Sequence, residues 1–469
     1  MSKKLFNYVK IAKKLESLIM TGIIASGESL PSIRSLINSE NASKTTIIKS
    51  LTELQNSGLI ESKERSGFFV SNNIEIIRKE KLSISKLQEF DGLIANLIND
   101  APNGDLTFSS AVLDISLISV NHLSAIATRA VKKYSSEFIK LMPPPGNIRT
   151  RIQIAQHLSL IGIICSPNDI VITSGDNNSL QNLIRIVAGE YGNIGIDKTC
   201  YFGYQQAIKN LNLNVHWIPS SATAGFDTKY ALNLVKSGKI DTLLLNPTLS
   251  NPLGYTIPND DREEIVKVCT NHACNIIEDD VFFDLLPPKH EVLPLKYWDK
   301  SGIVTYLGSL SKVVVPGWRI GWSLPGRHLP DIVAHMMSNN ISISSPSQLI
   351  SSELLGSIHY VDHIRALRSV LAHQIEDVRS LILDFFPTGT EISAPKGGYI
   401  FWITLPDNIN FDVFYQLVEN KKIKISNGKL FDLNDNTRSF RLCVPRVLNI
   451  NSKAAIREIG LIASNNINN

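Results

Sequence analysis

The stretch YLGSLSKVVVPGWRIGW sets Ser309, Ser311, Lys312 and Arg319 close together just beyond an apolar run. A lysine amine between hydroxyls can act as a nucleophile or form a Schiff base, and a nearby guanidinium suits a planar anion. Three other apolar runs end in unusual residues. In ITSGDNNSL a β-branched run passes into a helical one, so the amides of Gly175, Asp176 and Asn177 fall at a helix N-terminus, where a phosphate can bind. NPTLSNPLG places Asn251 in a Pro-bounded loop. NIIEDDVFF ends in Asp279 and Asp280, whose burial calls for a cationic partner.

An amine for a Schiff base, a carboxylate to keep a pyridine nitrogen protonated and an anion cup together answer the needs of pyridoxal 5'-phosphate. Each residue also has a plainer reading. Lys312 can be a solvated surface lysine, Asp279 a helix cap, Asn251 the cap of an Asn-Pro turn, Tyr201 core packing and Arg441 half of a structural ion pair. The ten histidines show no ligand-like spacing. The five cysteines are odd in number, scattered and without a CxxC pair, so no metal site is expected and a reduced, cytoplasmic protein is.

Such residues need a scaffold that gathers strand ends. The runs IVITSG, NIGID, TLLLNP, NIIEDD and GIVTYLG alternate with helical stretches such as SLQNLIRIVAGEY and DREEIVKVCTNHAC. That alternation predicts a mostly parallel α/β sheet covered on both faces, whose ligands bind beyond the carboxyl ends of the strands. No window reaches 18 apolar residues, so no membrane span is expected, and the charges spaced along the N-terminus do not suit a signal peptide.

The formal charge is +4, and its location matters more than its size. Residues 1–70 hold ten Lys and Arg against six Asp and Glu, whereas the other 399 residues hold 37 of each sign. A basic head on a neutral body fits a polyanion-binding module joined to something with another task. Apolar residues from Tyr8 to Met20 recur at helical spacing, Pro31 and Ser32 open a second helix carrying Arg34, and Ser43 caps a third whose inward positions are Ile47, Leu51 and Leu54. LIESKERSGFFV then reads as two β-runs about a polar turn. Three helices and a hairpin make a winged helix-turn-helix. Its third helix would enter the major groove of double-stranded DNA by Ser43, Lys44, Thr45, Thr46 and Lys49, with Ser32, Arg34, Arg65 and Gly67 over the backbone. The expected boundaries are a head at 1–71, a linker at 72–100 that runs into an amphipathic helix from about Ser83, and a body at 101–469.

GESLPSIRSL, SKTT, GLI and SGFFV resemble the head of GntR-type repressors. SLSKVVVPGWRIGW, PPPGNIRTRIQIAQHLSLIGI, SAPKGGYIFWITLP and FRLCVP are similar to fold-type I, class I/II aminotransferases. The combination resembles MocR-type regulators, in which such a head is fused to an aminotransferase-like body. The resemblance implies a multidomain chain: an α+β winged head, then an α/β fold-type I pyridoxal-phosphate domain with a mostly parallel sheet, and a smaller C-terminal α+β subdomain. By position it makes Lys312 the Schiff-base lysine, Asp279 the partner of the pyridine nitrogen and Asn251 a partner of the ring hydroxyl. Ser309, Ser311 and Arg319 would join Gly175, Asp176 and Asn177 around the phosphate, Tyr201 would stack on the ring, and Arg441 would grip an α-carboxylate. It also implies a homodimer and an amino-compound or vitamer effector.

Three positions depart from that family. Phe282 stands where a tyrosine hydroxyl usually reaches the ring oxygen, Leu141 replaces a tyrosine lent to the neighbouring subunit, and Asp176 sits beside the phosphate turn where a small residue is common. Each trims the site without removing the Schiff base, and together they lower the expectation of efficient turnover. The leading expectation is a cofactor-dependent DNA-binding regulator. Its rivals are an active aminotransferase carrying a DNA-binding head and a regulator whose body serves only for dimerisation.

Overall fold

Ser32 and Ser43 each begin a helix, and in both the hydroxyl accepts from the amide three residues on, Ser35 and Thr46 respectively, at 3.2 Å. The computed structural model describes residues 7–20, 24–63, 66–71, 106–339, 341–432 and 437–466. It divides into two units, Met1–Ala95 and Asn96–Asn469. In the first, helices α1 (Asn7–Met20), α2 (Ile33–Glu40) and α3 (Lys44–Asn56) precede strands β1 (Ile60–Lys63) and β2 (Gly67–Val70). The antiparallel register runs from Ile60 opposite Val70 to Lys63 opposite Gly67. The predicted inward positions Ile47, Leu51 and Leu54 are buried with Ile11, Leu15 and Ile19 of α1 and Leu36 of α2. This is the expected winged helix-turn-helix. Arg65, the linker and the amphipathic helix expected from Ser83 lie outside the described residues.

The second unit is built on strands β3 (Val171–Thr173), β4 (Asn193–Asp197), β5 (Asn214–Ile218), the small hairpin β6 (Ser220–Ser221) and β7 (Gly225–Phe226), β8 (Thr242–Leu245), β9 (Asn275–Asp279), β10 (Val304–Ser309) and β11 (Gly321–Leu324). Seven of them form one sheet in the order β3-β11-β10-β9-β8-β4-β5. Only β11 runs against its neighbours β10 and β3, and the pairs joining β10, β9, β8, β4 and β5 are parallel. β8 and β10 are buried at every residue, as befits strands covered on both faces.

Register gathers the chemistry at one end of this sheet. Ser309 stands opposite Gly321, and Gly321 opposite Thr173, so Ser309, Arg319 and Gly175 all come within two residues of one line across three strands. Asp279 is the last residue of β9 and pairs with Leu307 of β10. The C-terminal part adds an antiparallel sheet of β12 (Glu391–Ile392), β13 (Ile400–Thr404), β14 (Ser426–Asn427) and β15 (Ser439–Cys443), in the order β12-β13-β15-β14. Helices Ile358–Phe385, Phe411–Asn420 and Ile450–Asn465 flank it, and Phe401, Phe414 and Phe440 fill its core. Among the described residues no helix is long and apolar enough to cross a membrane.

β4 ends in a carboxylate that the core does not solvate. Asp197 is buried, accepts a hydrogen bond at Oδ2 from the Tyr255 hydroxyl, and is pushed up to about 7, chiefly by burial. Folded chains therefore keep this proton up to about pH 7, whereas an unfolded aspartate releases it near pH 4. The folded state binds more protons across that window, so stability falls as pH rises through it and levels off above. Asp197→Asn, which cannot ionise, is expected to unfold about 5 °C higher than the parent at pH 8 and only about 2 °C higher at pH 5, the gap closing towards pH 4. Thermal unfolding followed at both pH values checks this.

Candidate active site

The sequence places Lys312 three residues beyond β10, and the fold turns it into a cavity shared with Tyr201, Tyr204, Asn251, Asp279 and Phe282. Its Nζ lies 3.4 Å from the Ala111 carbonyl and 5.9 Å from the centre of the Phe282 ring. Tyr399 braces the lysine's backbone, its hydroxyl donating to the Lys312 carbonyl at 3.3 Å. Lys312, Asp279, Asn251 and Tyr201, drawn from four separated segments, therefore line one space.

Asp279 is 7% exposed and fixed at two points. Its carbonyl accepts from Asn246 Nδ2 at 2.6 Å, and its Oδ2 accepts from the Tyr204 hydroxyl at 2.6 Å. The same Asn246 side chain accepts at Oδ1 from the Asn251 backbone amide at 2.7 Å, so one residue ties the end of β9 to the loop that carries Asn251. Asn251 Oδ1 in turn accepts from Arg441 Nη1 at 2.8 Å. With Oδ1 so engaged, the amide is oriented with its Nδ2 as the donating end. Arg441 is 1% exposed, and its Nη2 donates to the Ser109 carbonyl at 2.6 Å and to Ser426 Oγ at 3.3 Å. Its guanidinium also lies 4.5 Å from the centre of the Phe431 ring. Asp280, the second carboxylate of the strand end, is buried apart from this cavity's lining and feels the charge of Arg262.

The corner around Gly175 and Arg319 has its own logic. Gly175 caps helix Asp176–Ala188 at φ +107°, and its carbonyl accepts from Ser179 Oγ at 2.6 Å. A Cβ at Gly175 would stand 2.6 Å from Arg319 Nη2, so the guanidinium rests where a side chain would be. Arg319 itself has the left-handed φ of +53°, an uncommon conformation for a long side chain and one that recurs at functional sites. Ser309 Oγ accepts from the Ser311 amide at 3.1 Å, and Ser311 Oγ is buried with no hydrogen-bond partner among the described residues. The backbones of Asp176 and Asn177 open the helix, while their side chains lie outside the described residues.

These features fit pyridoxal 5'-phosphate. The glycine cradle, the unanswered Ser311 hydroxyl, the helix N-terminus and Arg319 would hold a phosphate, and Asp279, Asn251 and Lys312 would meet the ring. Sequence reasoning missed Tyr204 and Asn246. Tyr204 lies three residues after Tyr201 on helix Phe202–Leu211, a spacing that brings side chains to one helical face, and that was the available signal.

In the head, Ser32, Ser43 and Thr46 are engaged in capping, with Ser43 Oγ 2.8 Å from Thr46 Oγ1. Arg34, Lys44, Thr45 and Lys49 are exposed on α2 and α3, and Gly67 opens β2 at φ +98° with open space where a Cβ would be.

Residues 119–459 match the family Aminotransferase class I and II, and the chain belongs to it. Residues 7–70 match the gntR family of bacterial regulatory proteins, and the two in one chain make it MocR-type. Relatives sharing this whole span include the HTH-type transcriptional regulator YdcR of Escherichia coli (strain K12), 27% identical over 97% of this chain and 98% of its own. The HTH-type transcriptional regulator NorG of Staphylococcus aureus (strain USA300) is 26% identical over 92% of this chain and 98% of its own. Among solved structures, Pyrococcus horikoshii kynurenine aminotransferase superposes with a TM-score of 0.73 at 21% identity, over 79% of this chain and 94% of its own. The α-aminoadipate aminotransferase LysN of Thermus thermophilus gives 0.72 at 20% identity, over 80% and 94%.

Proposed function

We propose that this chain is a DNA-binding transcription regulator whose body holds pyridoxal 5'-phosphate at Lys312 and responds to an amino compound or vitamer. The observation that carries the reading is the convergence of Lys312, Asp279 and Asn251 on one cavity, in a chain that also bears a gntR-family head. The cofactor supplies an electrophilic carbon with which primary amines, that of Lys312 included, combine reversibly. Asp279 would hold a proton on the ring nitrogen, Asn251 Nδ2 would donate to the ring oxygen and Tyr201 would cover the ring face. Arg441, already oriented by Asn251 and the Ser109 carbonyl, is the group an effector's carboxylate would engage. Such an effector changes DNA binding only through different affinities for two states of the protein. A homodimer is part of the proposal, supported by apolar side chains left 88% and 76% exposed at Ile139 and Leu141.

The test is the visible spectrum of the reloaded protein titrated with candidate amines, run beside DNA binding. Effector-dependent spectra with a changed DNA affinity support the proposal, whereas steady multiple turnover with amino acid and keto acid pairs would assign an enzyme instead. For the head, Arg34→Ala and Lys44→Ala are each expected to weaken binding to the protein's own upstream DNA and to lower the salt slope by about one unit, the contribution of one phosphate contact. Binding measured across a salt series checks this, and unchanged slopes would remove these residues from the interface.

A further inference from the structure

Helix Phe202–Leu211 brings a second tyrosine to the cofactor cavity. Tyr204 is 2% exposed, and its hydroxyl spans 75 residues of sequence to donate to Asp279 Oδ2 at 2.6 Å. The phenol is held well above its ordinary range, first by burial and then by the Asp279 charge, so it stays protonated and remains a donor. Tyr201 packs edge-on against it, with ring centres 5.5 Å apart, which limits how far the Tyr204 ring can swing. On the other side of Asp279, Asn246 fixes the backbone carbonyl at 2.6 Å. The carboxylate is therefore constrained both at its root and at its tip.

A buried carboxylate facing a pyridine nitrogen must be ionised and correctly turned to hold a proton there. A donor on one carboxylate oxygen favours the charged form and sets the carboxylate plane, while each oxygen retains lone pairs for a second partner. Val281 and Phe282, which line the cavity just past the strand end, carry no hydroxyl, and the Tyr204 hydroxyl is committed to Asp279.

We propose that Tyr204 is a positioning residue for the cofactor's ring nitrogen, acting through its buried hydrogen bond to Asp279. The proposal rests on the reading of Lys312 and Asp279 as cofactor residues. A purely structural tyrosine would stabilise the fold equally for any ligand, whereas a residue working through the ring nitrogen must distinguish ligands by that atom.

The experiment uses the full chain stripped of bound cofactor and reloaded with two probes: pyridoxal 5'-phosphate, and its deaza analogue in which CH replaces the ring nitrogen. Tyr204→Phe keeps the ring and removes only the hydroxyl. It is expected to weaken pyridoxal 5'-phosphate by about tenfold, the usual effect of losing one hydrogen bond to a charged group, and to leave the deaza analogue within about twofold. In an Asp279→Asn chain, Tyr204→Phe should make no further difference to either probe. The pH dependence of the visible band should move in Tyr204→Phe with pyridoxal 5'-phosphate. Equal weakening of both probes, failure to bind either, or no change in either overturns the proposal. If the parent chain itself shows no visible band with either probe, the cofactor reading falls and this proposal with it. A parent that binds normally while Tyr204→Phe behaves identically removes only Tyr204.

Discussion

Lys312→Ala is expected to abolish the visible band of the reloaded protein completely. The cavity that holds Asp279 and Asn251 is lined by a single lysine among the described residues, so there is no second amine to take over the link. The side chain is only partly buried, and the hydrogen bonds of its backbone, including that from Tyr399, do not depend on it. Folding should therefore survive, and an unfolding transition close to the parent's would show that it does. Lys312→Arg separates charge from chemistry. It keeps a cation 5.9 Å or so from the Phe282 ring but offers a guanidinium that does not form the link, so its band should be absent too. Both variants should still bind DNA, since the head has its own core, and should have lost any response to amines. A band that persists in Lys312→Ala would place the link on another lysine and defeat the assignment. DNA binding that still responds to amines in both variants would mean that the body senses them elsewhere.

The strand ends were legible because a fully buried parallel strand is a continuous apolar run, and the polar residue that stops it stands out. Asp279 and Ser309 both mark such stops, and both are the last residues of their strands. The caps at Ser32 and Ser43 were legible for an equally local reason, that a hydroxyl just before an apolar-periodic run is the natural partner of the first free amides. β11 was not legible. GWSL follows the lysine motif closely and is too short to show a period, and its antiparallel insertion between β3 and β10 is decided by pairing with Thr173 on one side and Ser309 on the other. Tyr204 was missed because an aromatic residue on an amphipathic helix reads as core. Its hydroxyl acquires a task only when β9 delivers a carboxylate from far along the chain. The same holds for Asn251 and Arg441, which were read separately as a ring partner and a carboxylate grip. Their mutual hydrogen bond spans 190 residues and couples the two sites, so a change at either should be felt at the other.

Gly175→Ala is the second substitution expected to have a large effect, weakening pyridoxal 5'-phosphate by about a hundredfold or more, from two sources. The backbone at φ +107° and ψ 166° lies in a region that is essentially glycine's alone, so with alanine there the turn relaxes in the free chain and must be forced back, at about 1–3 kcal/mol, to present its amides to the phosphate. The new Cβ would also stand 2.6 Å from Arg319 Nη2 and 2.9 Å from its Cζ, so the guanidinium must leave the corner where it would meet the phosphate. Losing a charge-assisted hydrogen bond of that kind costs about 1.5–3 kcal/mol, and the two together reach the stated factor. The sources can be separated. In an Arg319→Ala chain the guanidinium is already gone, so Gly175→Ala should there cause only the smaller, backbone part of the loss. Pyridoxal without its phosphate offers the corner no charge, and its affinity should change little in any of these variants. Equilibrium titration of the four chains with both compounds gives the answer directly. If pyridoxal is weakened as strongly as its phosphate ester, Gly175 shapes the cavity as a whole, and the phosphate corner lies elsewhere than between Gly175, Ser311 and Arg319.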